Sequence, residues 1–332
     1  MKRKKKTIIM IGVVVLVLAL AFLLILKDQK KRKVYQVTPV KSQDSYTVTY
    51  NGEKYQYNSK VETILLIGVD STGPMEVSAD YGEQARADNL DLIIIDHENK
   101  CIKVLPVSRD TYTEVTNYTA KGYAIGKVPT HLGFAFSFGD GGNASSKNVC
   151  SAVSELLYGV EIYRYVTTNI DSIGYANDLI GGVDVVVPNN DLAFMYPEMV
   201  KGATVTMTKD NVAEFLRYRN LDQDASNVGR MQRQRAFLQS YIEKLETMTE
   251  SDYVSMWEKL QKDSNIIKTN INQDTFQRLL NCVKDYSYDP DTCNLNIAGK
   301  NDKLDGYDVF YVDEDQLKEL VINVFYKKVG GN

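Results

Sequence analysis

Three apolar runs, each closed by charged residues, set the pattern of this chain. Ile64 to Val69 carries no charge and is followed by Asp70. Leu90 to Ile95 reads LDLIII, and Cys101 to Val107 gives way to Ser108-Arg109-Asp110-Thr111. Apolar runs of this length predict strands buried on both faces. Upstream, Tyr46–Tyr50 and Lys54–Tyr57 alternate about Asn51-Gly52, a hairpin signature. Downstream, Ser145 or Ser146 is placed to cap a helix bearing Val149, Ala152, Val153, Leu156 and Leu157, with Gly159 as its stop. A strand over 160–170, a short helix over 171–180 closed by Gly181-Gly182, and a strand over 183–187 follow.

Further helices are expected to start near Thr208 and Gly229. The first would bury Val212, Phe215, Leu216 and Arg219; the second would turn Met231, Leu238, Ile242 and Leu245 inward and bring Arg230 and Gln234 together at the edge of its apolar face. Helical patterns near 253–262 and 273–285, a strand over 307–312 and a helix from Glu314 complete the series. The fold class is α/β (α+β), a mixed central sheet flanked by helices, and 332 residues at 44% hydrophobic content suffice for a sizeable core.

One apolar run is of another kind. Residues 8–26 are 19 apolar or small residues without a charge, enough to span a bilayer as a helix. The run stops at Lys27-Asp28-Gln29-Lys30, with no small-residue cleavage site, so an uncleaved anchor is expected. The expected organisation is a tail over 1–7, an anchor over 8–26, a stalk and hairpin over 27–60, and one domain over 61–332. Five basic residues lie on each side of the apolar run, so charge leaves the orientation open.

Charge then picks out a second region. The chain has 11 arginines, and five of them (Arg217, Arg219, Arg230, Arg233 and Arg235) fall within 19 residues. Residues 1–33 carry a net charge of +9 and the remainder −13, so the cluster is a local device on an acidic domain. Nucleic-acid binding, which calls for a broad basic stripe, is disfavoured. Arginine's planar fork grips phosphate or carboxylate oxygens in pairs, which points to a multiply anionic ligand. The plainer alternative is a solvated helix face paired with Asp222, Asp224 and Glu243.

Strand ends carry more of the same chemistry: Asp70, the Arg86-Ala87-Asp88 loop, and Arg109. Ligands of open α/β sheets sit beyond the carboxyl ends of strands. Magnesium takes oxygen ligands, commonly carboxylates together with substrate phosphates, so Asp70 and Asp88 are candidate metal ligands. Arg109, Arg217, Arg219 and Arg230 would then surround non-bridging oxygens, an arrangement suited to phosphoryl transfer. Residues 119–144 read as a glycine-rich loop with Lys127, His131 and interleaved Phe134, Phe136 and Phe138, either a wall for a lipid tail or plain core. The cysteines (Cys101, Cys150, Cys282 and Cys293) lack zinc spacing; Cys282 and Cys293 are a disulfide candidate, and the other two fit as buried thiols. With only His97 and His131 present, a His-centred metal site or Ser-His-Asp triad is disfavoured.

Taken in order, Ile64-Leu65-Leu66-Ile67-Gly68-Val69-Asp70-Ser71, Arg86-Ala87-Asp88, Pro106-Val107-Ser108-Arg109-Asp110-Thr111, Leu179-Ile180-Gly181-Gly182-Val183, Arg217-Tyr218-Arg219 and Gly229-Arg230-Met231-Gln232-Arg233-Gln234 resemble the LytR–CpsA–Psr proteins of Gram-positive bacteria. The resemblance spans residues 63 to about 245, and the anchor fits it. It implies a membrane-anchored domain outside the cell. The implied activity is a phosphotransferase that moves a glycopolymer (teichoic acid or capsular polysaccharide) from a polyprenyl-pyrophosphate carrier to peptidoglycan with Mg2+.

In that reading Asp70 and Asp88 match the magnesium carboxylates. Arg109, Arg217, Arg219, Arg230 and Gln234 match pyrophosphate-binding positions, with Arg86 in the same pocket. Asp88, Arg109 and Arg219 are the implied catalytic set, Asp88 taking the acceptor hydroxyl's proton. Two positions depart from the family pattern: Asn227 stands where an aspartate is usual, and Lys127 is followed by Val128-Pro129 rather than Ile-Asn. Competing readings are a pyrophosphatase acting on the same carrier and a non-catalytic, membrane-tethered sensor of lipid-linked precursors.

Overall fold

The Asn51-Gly52 signal is realised first. In the computed structural model, which describes residues 47–218, 226–249 and, with short gaps between 250 and 289, on to residue 329, both turn residues hold positive φ, at 49° and 79°. They join β1 (Thr47–Tyr50) to β2 (Glu53–Tyr57) in antiparallel register. The expected anchor over 8–26 lies outside the described residues, and among those described no helix is long and apolar enough to cross a membrane.

The three apolar runs become β3 (Val61–Val69), β4 (Ala87–Asp96) and β5 (Cys101–Val107). Then come β6 (Tyr112–Tyr118), β7 (Ala124–His131), α1 (Phe134–Ser137), α2 (Asn143–Leu156), β8 (Arg164–Thr168), α3 (Ser172–Leu179), β9 (Val183–Val186), β10 (Thr204–Met207), α4 (Val212–Arg217) and α5 (Ser226–Glu246). β11 (Ile267–Thr269), α6 (Gln273–Val283), α7 (Pro290–Cys293), β12 (Gly299–Leu304), β13 (Tyr307–Val312), α8 (Glu314–Phe325) and β14 (Tyr326–Lys328) follow.

Where the sequence shows no break after residue 60, the described chain packs as two compact units. A sheet unit comprises the residues up to Asp70, Met75–Thr167 and the chain from Lys268; an arginine unit comprises Ser71–Pro74 and Thr168–Ile267.

In the sheet unit, a five-stranded sheet has the order β11-β8-β3-β4-β5, with β3–β4 and β4–β5 antiparallel. One face carries Leu65, Ile67, Leu92, Ile94 and Leu105, packed with Val149 and Val153 of α2 and Leu317, Val321 and Phe325 of α8. At about 25 cal/mol per Å² of apolar surface buried, this layer is the unit's main source of stability. β14 pairs with β2, with Tyr326 opposite Tyr57, so the hairpin is built into this unit.

Several local expectations are revised. The stretch read as a glycine-rich loop contains β7, paired with the unforeseen β6, and then α1. The N-cap residue of α2 is Gly142, and Asp140 just before it accepts the amides of Gly142, Ala144 and Ser145 on Oδ1; Ser145 and Ser146 lie inside the helix, and the Ser145 hydroxyl accepts from Gly141 N. A carboxylate accepts several amides where a hydroxyl reaches fewer, so it takes these. Cys293, buried beside β5, is in no disulfide, so the expected pairing with Cys282, whose side chain lies outside the described residues, is not made; Cys150 is buried and Cys101 half-buried, both free.

Two carboxylates of the sheet differ in sign of effect. Burial pushes Glu62 up, but hydrogen bonds from His97 and Arg278 and the Arg164 charge override it and bring it to about 2. The Arg278 fork is bidentate, at 3.0 and 2.7 Å. Asp91 is 1% exposed and takes one bond from Asn89 Nδ2 at 2.7 Å, while its Oδ1 has no partner. Burial therefore raises it to about 6.

Glu62 lies below its unfolded value, so its contribution is present above about pH 4.5 and fades as the pH falls toward 2. Asp91 lies above its unfolded value, so stability is lost as the pH rises through about 6. Asp91→Asn should therefore raise the thermal midpoint at pH 8, by an amount equivalent to about 1–3 kcal/mol, and leave it nearly unchanged at pH 4. Glu62→Gln should lower it at pH 8. Circular-dichroism melts at the two pH values check both.

Candidate functional site

Antiparallel pairing decides where the strand-end charges fall. Asp70 follows β3, Arg86 precedes β4 and Arg109 follows β5, so all three stand at one end of the sheet. Asp88 lies within β4 rather than on a loop. The register jumps from Gly68↔Asn89 to Val69↔Ala87, leaving Asp88 as the extra residue of a bulge. Bulges re-aim side chains at sheet ends. The expected geometry beyond the carboxyl ends of strands is thus replaced by a mixed set: the carboxyl ends of β3 and β5 and the amino end of β4.

Backbone bonds hold this end together. Asp70 N donates to Arg86 O (3.1 Å), Ala87 N to Gly133 O (3.1 Å) and Gly133 N to Arg109 O (2.9 Å). A Cβ on Gly133 would stand 2.8 Å from Ala87 O and 3.4 Å from Arg109 Cβ, so only glycine allows this knot. Arg109 Nη1 donates to Asp88 Oδ1, and its Nε lies 3.6 Å from Asp110 Oδ1. The side chains of Arg109 and Asp88 are 47% and 34% exposed, so the pair is open to an incoming anion. Arg86 is exposed and sits 4.0 Å over the Phe134 ring, a cation–π contact. Phe136 belongs to the core, whereas Phe134 and Phe138 are half-buried and stacked. Lys127 pairs with Glu155 at 2.7 Å.

The arginine unit is built around an arginine that the sequence reading counted in the cluster without giving it a role. Arg233 is 1% exposed. Its Nε donates to Phe215 O (2.8 Å), Nη2 to Tyr218 O (2.6 Å) and Nη1 to Asn189 Oδ1 (3.1 Å) and Asp191 Oδ2 (2.5 Å). The carbonyls at the end of α4 have no helical partner, and this guanidinium supplies one from α5. Burial lowers its pKa and Asp191 pulls it back up. Gly229 is required here too, because a Cβ would collide with Asp191 Oδ2. The signal available in sequence was helical spacing: Arg233, Phe237 and Tyr241 repeat every four residues, and all three are buried.

Of the expected ligand residues, Arg217 is exposed at the end of α4. Arg230 and Gln234 are half-buried, one turn apart on α5. Gln234 Nε2 donates to Leu216 O at 2.8 Å, so its amide also ties α5 to α4. Arg219, Asp222 and Asp224 lie outside the described residues, as do the side chains of Asn227, Met231, Leu238, Ile242 and Leu245. α4 starts at Val212, later than expected; ahead of it the Thr208 carbonyl accepts Val212 N and the Thr208 hydroxyl accepts Asp210 N in a turn. Among the described residues no group of three or more His, Cys, Asp or Glu side chains is disposed to hold a metal.

An α/β chain with paired acids and guanidinium groups at one sheet end is of the kind that handles polyanions. It belongs to the LytR_cpsA_psr family, whose model matches residues 25–324. A Bacillus cereus relative, the polyisoprenyl-teichoic acid–peptidoglycan teichoic acid transferase TagU, is 30% identical over 271 residues, covering 79% of this chain and 77% of its own. Among solved structures, the Streptococcus agalactiae protein gbs0355 matches with a TM-score of 0.55 at 19% identity, over 80% of this chain and 87% of that one. TagT bound to LIIa-WTA matches with a TM-score of 0.50 at 17% identity, over 80% and 89%. These structural likenesses show that the fold is shared.

Replacing Arg233 by alanine strands two carbonyls, and should cost on the order of 3 kcal/mol in urea unfolding. Arg235→Ala, on the exposed face of α5, should stay within about 0.5 kcal/mol of the parent.

Proposed function

We propose that this chain is a transferase that attaches a glycopolymer, of the teichoic acid or capsular polysaccharide kind, to peptidoglycan from a polyprenyl-pyrophosphate carrier. The observation that carries the proposal is the exposed Asp88–Arg109 pair, with Asp70 and Arg86 at the same sheet end. Support comes from a relative whose name is that of a teichoic acid transferase and from TagT, solved bound to LIIa-WTA.

In the proposed reaction a peptidoglycan hydroxyl attacks the phosphorus bearing the glycopolymer. A new O–P bond forms, the P–O bond to the bridging oxygen breaks, and polyprenyl phosphate leaves with the electron pair. Asp88 accepts the hydroxyl's proton, and the hydrogen bond from Arg109 holds that carboxylate in place. Arg86 and Arg109 face the non-bridging oxygens, each charge-assisted bond contributing about 1.5–3 kcal/mol. In the arginine unit, Arg217, Arg219, Arg230 and Gln234 are the candidates for phosphate contacts.

The donor set at the sheet end fits magnesium: Asp70 and Asp88 offer hard oxygens, and a small number of carboxylates completed by water and phosphate is that ion's usual coordination. When bound, it would neutralise charge on the diphosphate. The proposal includes residues 8–26 as a single-pass anchor, with the tail inside and the domain outside the cell.

The test is the purified protein with magnesium and a lipid-pyrophosphate-linked glycan, with and without peptidoglycan. Product formed only with acceptor is the expected result. Release without acceptor would favour a pyrophosphatase, and binding without turnover a sensor. Arg109→Ala and Arg219→Ala should each lower turnover by about 100-fold or more, with unchanged circular dichroism. Full activity in Arg109→Ala would falsify the role given to that pair.

A further inference from the structure

A row of aromatic rings leads away from the charged end of the sheet unit. Arg86 stacks on Phe134, whose centroid lies 6.1 Å from that of His131. His131 stands 6.2 Å from Tyr112, and Tyr112 stands 5.9 Å from Tyr311. Backbone pairing fixes the order. Tyr112 and His131 are direct partners on β6 and β7, Thr111 bridges Phe310 on β13, and His131 Nε2 donates to Asp308 O at 3.0 Å.

The row is joined to the candidate site by main-chain bonds, since Phe310 N donates to Asp110 O at 2.8 Å and Leu132 N to Thr111 O at 2.8 Å. Tyr311 is 39% exposed, and Tyr307 at the start of β13 is 70% exposed, while Val309 between them is buried. Packing of the β12–β13 hairpin is thus carried by Val309 and Phe310 and does not require rings at 307 and 311. Isolated exposed tyrosines are ordinary. Four rings in contact, meeting edge to face or tilted and ending on a guanidinium beside the Asp88–Arg109 pair, make a continuous row whose exposed end is Tyr311.

We propose that this row is a glycan-binding subsite on which pyranose rings stack. The C–H bonds on a pyranose face carry partial positive charge and lie favourably on the negative face of an aromatic ring, and tyrosine adds a hydroxyl for the sugar's own. The subsite deepens the transferase reading and rests on it only for the source of the glycan, which is either the acceptor strand or the sugars of the donor.

The experiment is calorimetric titration of the full chain with the tetramer of β-1,4-linked N-acetylglucosamine, followed by transfer kinetics with each substrate varied. Tyr311→Ala should weaken tetramer binding roughly fivefold, the size of one ring contact, and Tyr311→Phe should restore most of it. Tyr307→Ala gives a second measurement should Tyr311→Ala fail to fold. A rise in acceptor KM at constant kcat assigns the row to the acceptor strand, and a rise in donor KM assigns it to the donor glycan. Absent tetramer binding by the parent protein, or undiminished binding in both alanine variants, overturns the subsite. A parent protein that binds the tetramer but transfers nothing removes the transferase reading and leaves the subsite standing.

Discussion

The antiparallel register of β3, β4 and β5 is the constraint from which the candidate site follows. Antiparallel neighbours bring the end of one strand beside the beginning of the next. Asp70, Arg86 and Arg109, far apart along the chain, therefore reach one end of the sheet without any long loop having to be ordered for the purpose. The bulge at Val69 and Ala87 adds Asp88, turning a residue that regular alternation would assign to one face. Shifting the register by one residue would turn Asp91 to the face where Leu92 and Ile94 pack with α2 and α8, so the core enforces the placement of the charges.

A different device orders the arginine unit. Short helices such as α4 gain little from propensity and need a tertiary partner. Arg233 provides one by reaching the carbonyls of Phe215 and Tyr218, with its charge compensated by Asp191. A buried guanidinium with every arm engaged acts as a rigid clip, and one left partly unpaired would be a serious liability. The same residue type therefore does two kinds of work within one short stretch: exposed Arg217 has a guanidinium open to solvent, whereas Arg233 engages all three of its side-chain nitrogens with the protein itself.

What the sequence disclosed divides along physical lines. The buried strands, the Asn51-Gly52 turn and the last helix were readable, because continuous apolar runs, positive-φ residues and helical spacing are local signals. Asp70, Arg86, Asp88 and Arg109 were readable as strand-end charge, although the sense of the strands was not, since an apolar run does not record the direction of its neighbour. The β6–β7 hairpin escaped notice because its glycines and exposed positions resemble a loop; β7 alternates weakly and keeps most of its residues in solvent. Asp140 as the acceptor for the first amides of α2 escaped because two serines stood nearer the expected position. Arg233 escaped because charge counting cannot separate an arginine facing a ligand from one facing backbone.

The pairing of β14 with β2 bears on how the protein is made. Tyr326 meets Tyr57 across that ladder, and Asn58 N meets Phe325 O at 2.8 Å, so some of the earliest strands to leave the ribosome wait for one of the last. Such a contact closes a loop nearly as long as the domain and is entropically late. Until it forms, β2 offers an unpaired edge beside the β1 hairpin, and the nascent chain is at its most vulnerable to misassociation in that interval.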